Sequence, residues 1–209
     1  MEIYSTEEQQ LQAVKGILQR YWIAIAVAIV VVIAAAIGWS IYQSHQSQKT
    51  VLASQAYQHL LLESAKGNDV TAEALEQFIS TYQGAGNYAQ LAQLILANKQ
   101  VAQKQYKEAS VTLQRVIARS EQPVQGLAVI RLARVLIQLK QYDNALATLR
   151  QLKGKAFKGI VAALNGDIYV AQGTPDSIKA ARDSYQDAIA DGQGIDPTVQ
   201  LKLDNLAGE

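Results

Sequence analysis

The sequence contains no cysteine and only three prolines in 209 residues. Without cysteine, the chain has no disulfide framework and no thiolate ligand for a metal. Because proline is scarce while alanine, leucine and glutamine are abundant, the composition favours helices over strands. Histidine is also scarce, since His45 and His59 are the only two. With no carboxylate beside them, they are better interpreted as solvated side chains than as metal ligands.

Charged residues are missing from one long stretch near the start. None occurs from Tyr21 to Gln48, and the run from Trp22 to Trp39 is almost wholly apolar. At about 1.5 Å rise per residue, a helix over residues 21–42 spans a hydrocarbon core of roughly 30 Å. We therefore predict a transmembrane helix at 21–42, between an N-terminal segment at 1–20 and a water-soluble domain at 43–209. A cleavable signal peptide is the alternative, but the apolar run is a full span and its polar leader is longer than usual.

The few basic residues around this span predict its orientation. Lys15 and Arg20 precede it, and Lys49 is the only Lys or Arg among the twenty residues that follow it. Cytoplasmic flanks carry the excess of Lys and Arg. We therefore predict a cytoplasmic N-terminus and a translocated C-terminal domain.

An internal repeat occupies the chain behind the span. Ala109, Ala145 and Ala181 recur every 36 residues, each followed by a large residue four positions later and an apolar one three beyond that. This pattern is typical of the second helix of a tetratricopeptide hairpin, where a small residue lets two helices cross closely. We predict an all-α fold in which one long helix, from about Thr6 to Ser47 with a break near Gly16, precedes a tetratricopeptide-like stack. The stack has about four hairpins, with the three alanines buried between paired helices, and a capping helix. The predicted hairpins are 50–82, 87–119, 124–153 and 156–191, and the capping helix runs from Pro197 to Leu206.

No group of residues in the sequence forms a catalytic constellation. Residues 84–89 (Gly-Ala-Gly-Asn-Tyr-Ala) resemble a dinucleotide-binding loop, but no strand precedes them and they fall in a predicted helix–helix turn. Asp183, Asp187 and Asp191 lie four apart on one helix face and are best interpreted as a solvated face. We therefore predict a protein that is not an enzyme and has no cofactor and no small-molecule substrate.

The first helix of the third hairpin is apolar nearly all round, from Gly126 to Lys140. Such a helix is either central in the fold or lines a groove that another molecule fills. In the tetratricopeptide register, the inner surface of the second and third hairpins predicts a groove for an apolar segment of a partner protein. The alternative is that the next repeat covers this surface. The predicted protein-binding residues are Leu94, Asn98, Val101, Ile130, Arg134 and Ile137.

The net charge of +1 conceals an uneven distribution. Residues 99–158 carry twelve basic and three acidic side chains, whereas residues 159–209 carry three basic and eight acidic ones. Anionic lipid, an acidic partner or a nucleic acid could each match the basic middle. Few aromatic residues lie among the basic ones, which disfavours a platform for single-stranded nucleic acid. A domain tethered to a membrane also meets lipid headgroups more readily.

Several short segments together resemble the YfgM family of bacterial inner-membrane proteins, which are ancillary subunits of the SecYEG translocon. The resemblance covers essentially the whole chain. It implies one span with a cytoplasmic N-terminus and a periplasmic tetratricopeptide-like domain. It also implies pairing with a PpiD-like periplasmic chaperone, assistance to exported chains beside the translocon, and no enzyme activity. The segments are residues 1–4 (Met-Glu-Ile-Tyr), 13–15 (Ala-Val-Lys), 37–39 (Ile-Gly-Trp), 44–46 (Ser-His-Gln), 131–135 (Arg-Leu-Ala-Arg-Val), 138–141 (Gln-Leu-Lys-Gln), 160–162 (Ile-Val-Ala) and 166–167 (Gly-Asp).

Other functions are compatible with the same fold, because a fold does not determine a function. One alternative is a tethered adaptor that recruits an envelope enzyme or a signalling protein. Another is a structural subunit of an envelope assembly complex. The proteins that co-purify with the chain would distinguish these functions from a role at the translocon.

Overall fold

The computed structural model describes residues 7–66, 70–191 and 197–207, and within these ranges all regular structure is helical. The predicted all-α class is therefore confirmed. The chain divides after Val51 into two units. The helices are α1 (Glu7–Ala65), α2 (Ala72–Thr81), α3 (Tyr88–Ala102), α4 (Tyr106–Arg119), α5 (Val124–Gln138), α6 (Tyr142–Leu149), α7 (Lys158–Gln172), α8 (Pro175–Asp191) and α9 (Thr198–Ala207), with a 3-10 turn at Lys155–Phe157.

The first unit consists of the greater part of α1 and presents apolar side chains outwards. Trp22, Val32 and Trp39 are 61%, 66% and 69% exposed. Exposure of a continuous apolar surface of this kind is unfavourable in water and favourable in the hydrocarbon core of a membrane. Among the described residues, this is the one helix that is long and apolar enough to cross a membrane.

Helix α1 is longer and more regular than the sequence predicts. It neither breaks at Gly16 nor ends at Ser47, and it continues to Ala65; the predicted start at Thr6 lies outside the described residues. No proline or glycine occurs at residues 39–66 to end it. The Ser47 and Thr50 hydroxyls donate to the carbonyls of Gln43 and Gln46, four residues back, at 2.9 and 3.0 Å. Such bonds satisfy these polar side chains without ending the helix.

The second unit, from Leu52, is a stack of four helical hairpins closed by α9, as predicted. The end of α1 pairs with α2, α3 with α4, α5 with α6, and α7 with α8. Ala109, Ala145 and Ala181 are fully buried, which confirms the repeat register. One hydrophobic cluster joins the second and third hairpins to α7, a second joins α7, α8 and α9, and a third joins the end of α1 to α2 and α3.

The repeat extends to the turns within the second and third hairpins. Lys104 and Lys140, 36 residues apart, adopt left-handed φ angles of 60° and 56°. Each donates its N–H to the carbonyl three residues back at 2.9 Å, and the following residue donates to the carbonyl five residues back at 2.8 and 2.9 Å. These paired bonds form the Schellman motif that ends a helix. Lysine occupies the position that usually prefers glycine, so both turns carry backbone strain.

The fourth hairpin is held by a close contact and a polar cluster. A Cβ atom at Gly166 would collide with the Tyr185 ring, so the missing side chain lets α7 approach α8. The Tyr185 hydroxyl donates to the Asp167 carboxylate at 2.8 Å, and Lys202 of α9 reaches the same carboxylate at 2.7 Å. Arg182 also donates to the Leu206 carbonyl of α9. These contacts fasten the capping helix to the stack.

Side chains that bond to the backbone fasten helices within the second and fourth hairpins and join the second hairpin to the third. The amides of Gln90 and Gln125 donate to the carbonyls of Arg119 and Ile117, at 3.5 and 3.2 Å. Asp191 accepts the Gly159 N–H at 3.0 Å. The predicted solvated face of three aspartates is therefore wrong at Asp191, which satisfies a free N–H at the start of α7.

Candidate protein-binding cleft

A cleft of about 520 Å³ lies between α3, α4 and α5. Its lining combines an apolar floor with cationic and amide side chains. Among the described residues that line it, none is acidic. The apolar residues are Ala97, Val101, Leu113 and Val135, and the polar ones are Asn98, Tyr106, Arg131, Arg134 and Gln138.

Two arginines of α5 give the cleft its charge, and they have different roles. Arg131 donates to the Leu94 carbonyl at 3.2 Å and so ties α5 to α3. Arg134, one turn further on, is exposed, and no hydrogen bond or ion pair engages it within the described part of the chain. A guanidinium has five N–H donors and always carries its charge. Arg134 is therefore available to bind an acceptor that enters the cleft.

Three of the six predicted binding residues line this cleft, namely Asn98, Val101 and Arg134. Leu94 and Ile130 are only 3% and 8% exposed and belong to the central cluster. For Leu94 and Ile130, this burial agrees with the alternative that the sequence left open, in which other parts of the domain cover the surface.

Ile137 is half-buried against the same cluster and does not line the cleft. The contact of any of the six residues with a partner remains a prediction.

The sequence did not point to several cleft residues. Arg131 lies three residues before Arg134, and Gln138 four residues after it, so all three share a face of α5. That spacing could have identified both. Tyr106 and Leu113 come from α4, and no pattern within α3 or α5 indicates that they approach this surface.

A second cleft, of about 720 Å³, lies between α2, α3 and α4. Its charged lining residues are Glu76, Lys107, Glu108, Arg115 and Arg119. Both signs are represented, so this cleft does not select a partner of one charge. The α3–α5 cleft is the more selective of the two.

Two tyrosines of the domain have raised pKa values, and burial is the main cause for both. Burial raises the pKa of Tyr185, and its hydrogen bond to the Asp167 carboxylate and that group's charge raise it further. Burial also raises the pKa of Tyr57. His45 and His59 are both exposed. Within the described ranges, no three His, Cys, Asp or Glu side chains form a group that could hold a metal ion.

Comparison with known proteins places the chain in a family. The model of a tetratricopeptide repeat-like domain matches residues 15–208. The chain is 32% identical to a protein of Escherichia coli (strain K12) over 99% of its length and 100% of that relative. Relatives from Haemophilus influenzae and Aggregatibacter actinomycetemcomitans are 31% and 33% identical, each over 96% of this chain and 97% of the relative.

All three relatives are named ancillary SecYEG translocon subunit, after an assembly and not after a reaction. With the apolar part of α1, this similarity indicates a membrane-anchored protein. The domain model and the relatives both cover nearly the whole chain, so the chain belongs to the YfgM family of tetratricopeptide repeat-like proteins.

Proposed function

We propose that this chain is a membrane-anchored accessory subunit of the Sec translocon that binds other proteins through its hairpin stack. The observation that carries the proposal is the similarity to relatives of that name over nearly their full length. The apolar part of α1 supports the membrane anchor. The exposed Arg134 side chain in the α3–α5 cleft, which no hydrogen bond engages in the described part of the chain, supports protein binding.

The proposed topology is a cytoplasmic segment at 1–20, a span at 21–42 and a periplasmic domain at 43–209 in a bacterial inner membrane. Lys15 and Arg20 before the span, against Lys49 after it, favour this direction. Reporter fusions after Lys49 test it. A reporter active only in the periplasm should be active there, whereas activity of a cytoplasm-only reporter would overturn the topology.

The proposed role is to assist the chaperoning of exported chains together with a PpiD-like periplasmic chaperone. Affinity purification from detergent-solubilised membranes tests this role directly. We expect SecY and an isomerase-like chaperone to co-purify with the chain. Recovery of an envelope enzyme or of assembly proteins without SecY would instead support the adaptor or structural function.

The proposed contact is an apolar segment of a partner seated on the cleft floor at Val101 and Val135. Burial of two or three apolar side chains would contribute about 1.5–3 kcal/mol each, before the cost of ordering them. Arg134 would donate to a backbone carbonyl or carboxylate of that segment. Such a contact is weak enough to be released, as a chaperone-type role requires.

Arg134→Ala tests this contact without touching the core, because Arg134 is exposed. We expect a lower recovery of the partner and an unchanged melting temperature. Arg115→Ala is the matched control, since Arg115 is exposed and lines the second cleft. Equal recovery with both variants would remove the α3–α5 cleft as the binding site.

A further inference from the structure

The segment that joins the third and fourth hairpins, residues 150–158, is the most concentrated positive charge in the domain, and we call it the basic loop. It carries Arg150, Lys153, Lys155 and Lys158 and no acidic residue. All four cations are exposed. Within the described part of the chain, neither a hydrogen bond nor an ion pair engages their side chains.

Several contacts fix the backbone of the basic loop, although none engages its charged side chains in the described part of the chain. The Phe157 ring packs on the start of α5, where a Cβ atom at Gly126 would lie 3.0 Å from the ring carbon Cζ. The Phe157 N–H donates to the Gly154 carbonyl at 3.2 Å, and Gly154 has a φ of +114°, which favours glycine. The bond between Gly159 and Asp191 secures the far end. The four cations are therefore presented to solvent from a fixed backbone.

The composition of this patch distinguishes between possible partners. All four cations are exposed, and the one aromatic ring of the loop is committed to Gly126. A loop with several exposed cations and no free aromatic ring suits a surface of many negative charges better than one defined ligand. Asp191, the acid at the far end of the loop, is engaged with Gly159.

We infer that the basic loop docks on the anionic phospholipid headgroups of the bilayer that anchors the chain, an inference that rests on the membrane anchoring above. Anchoring confines the domain to the neighbourhood of the bilayer, which raises the effective concentration of headgroups around it and favours weak contacts. Arginine and lysine both bind phosphate groups, the former through two parallel hydrogen bonds. The contact weakens with salt, because the Debye length falls from about 10 Å at 0.1 M to about 3 Å at 1 M.

The absence of cysteine makes this inference directly testable. A Gln151→Cys substitution introduces a single thiol at an exposed position of the loop for a fluorescent label. The full chain is reconstituted in nanodiscs of phosphatidylcholine, with or without phosphatidylglycerol, and a nitroxide on the headgroups quenches the label on contact. We expect stronger quenching in the anionic discs, and its loss at high salt. Both faces of a disc carry the same lipid, so the result does not depend on orientation.

Charge variants identify the residues responsible. Lys153→Gln with Lys155→Gln should weaken docking about fivefold per charge, the factor that corresponds to ~1 kcal/mol for each cation at an anionic surface. The matched control is Lys104→Gln with Lys140→Gln, which removes the same charge from the exposed turns within the hairpins. The control should quench like the parent chain, and an equal loss in both would overturn the assignment to the basic loop.

Three further outcomes overturn the inference. Equal quenching in neutral and anionic discs would exclude the lipid contact while leaving the membrane anchor intact. Loss of a co-purifying protein in the Lys153/Lys155 variant, with unchanged quenching, would assign the loop to an acidic protein surface instead. If the chain does not remain in the disc after an alkaline wash, the membrane anchor itself is wrong, and the inference fails with it.

Discussion

Replacement of Ala145 by leucine should destabilise the hairpin stack by about 1–3 kcal/mol, because the enlarged side chain has no space. Ala145 is fully buried in α6 and belongs to the same hydrophobic cluster as Ala133 of α5. Leucine adds three carbon atoms at a point where the two helices cross closely. Protein interiors are close-packed, so these atoms must push α6 away from α5 or force strained rotamers. Helix α6 has only eight residues over which to spread the displacement.

Thermal unfolding of the full chain in a mild detergent, followed by circular dichroism, measures this effect. For a domain of this size, 1 kcal/mol corresponds to about 2–4 °C, so the melting temperature should fall by about 2–12 °C. Ala147→Leu is the matched control, since it makes the same change at an exposed position of the same helix. We expect it to change stability by less than about 0.5 kcal/mol. Equal melting temperatures for the two variants would refute the repeat register.

The same melt checks three further substitutions. Gly166→Ala should cost about 1–3 kcal/mol, because its methyl group meets the Tyr185 ring; a neutral result would show that α7 and α8 are not in close contact there. Lys140→Gly should stabilise the domain by about 0.5–1 kcal/mol, because glycine relieves the left-handed turn, and a loss of stability would contradict the strain. Ile130→Asp should cost roughly 3 kcal/mol or more, because it places a carboxylate in the core. A folded Ile130→Asp variant that loses only its partner would instead return Ile130 to the binding surface.

Local patterns of residue type were enough to predict most of the architecture. The long apolar run without charge identifies the candidate span, because its length and composition are visible in the sequence and do not depend on tertiary contacts. The alanines at 109, 145 and 181 predict both the hairpin pairing and their own burial, since in each repeat a small residue lets the two helices cross closely. The start of α8 also follows from residue type, because Thr174 is a natural N-cap and Pro175 suits the first helical position; the Ser177 N–H donates to the Thr174 hydroxyl at 3.2 Å.

Predictions that depended on the end of an element were less reliable. Helix α1 continues through Ser47, because serine and threonine side chains can either cap a helix or bond back along it. Asp191 similarly appeared to belong to a solvated face, because its partner Gly159 is distant in sequence. In both cases the residue type is compatible with two hydrogen-bonding arrangements, and contacts with the rest of the chain decide which one forms.

The candidate cleft shows what the sequence determined and what required the tertiary structure. Repeat register brought Asn98 and Arg134, which occupy equivalent positions of successive hairpins, to one surface, and Val101 follows Asn98 by one turn of α3. Whether Leu94 and Ile130 face a partner or the core depends on how closely neighbouring hairpins pack, which no local pattern encodes. The bond from Arg131 to the Leu94 carbonyl joins residues 37 positions apart and separates the arginine that holds α5 to α3 from the arginine left free. The sequence thus determined the helices and their period, and tertiary packing decided which side chains remain available for binding.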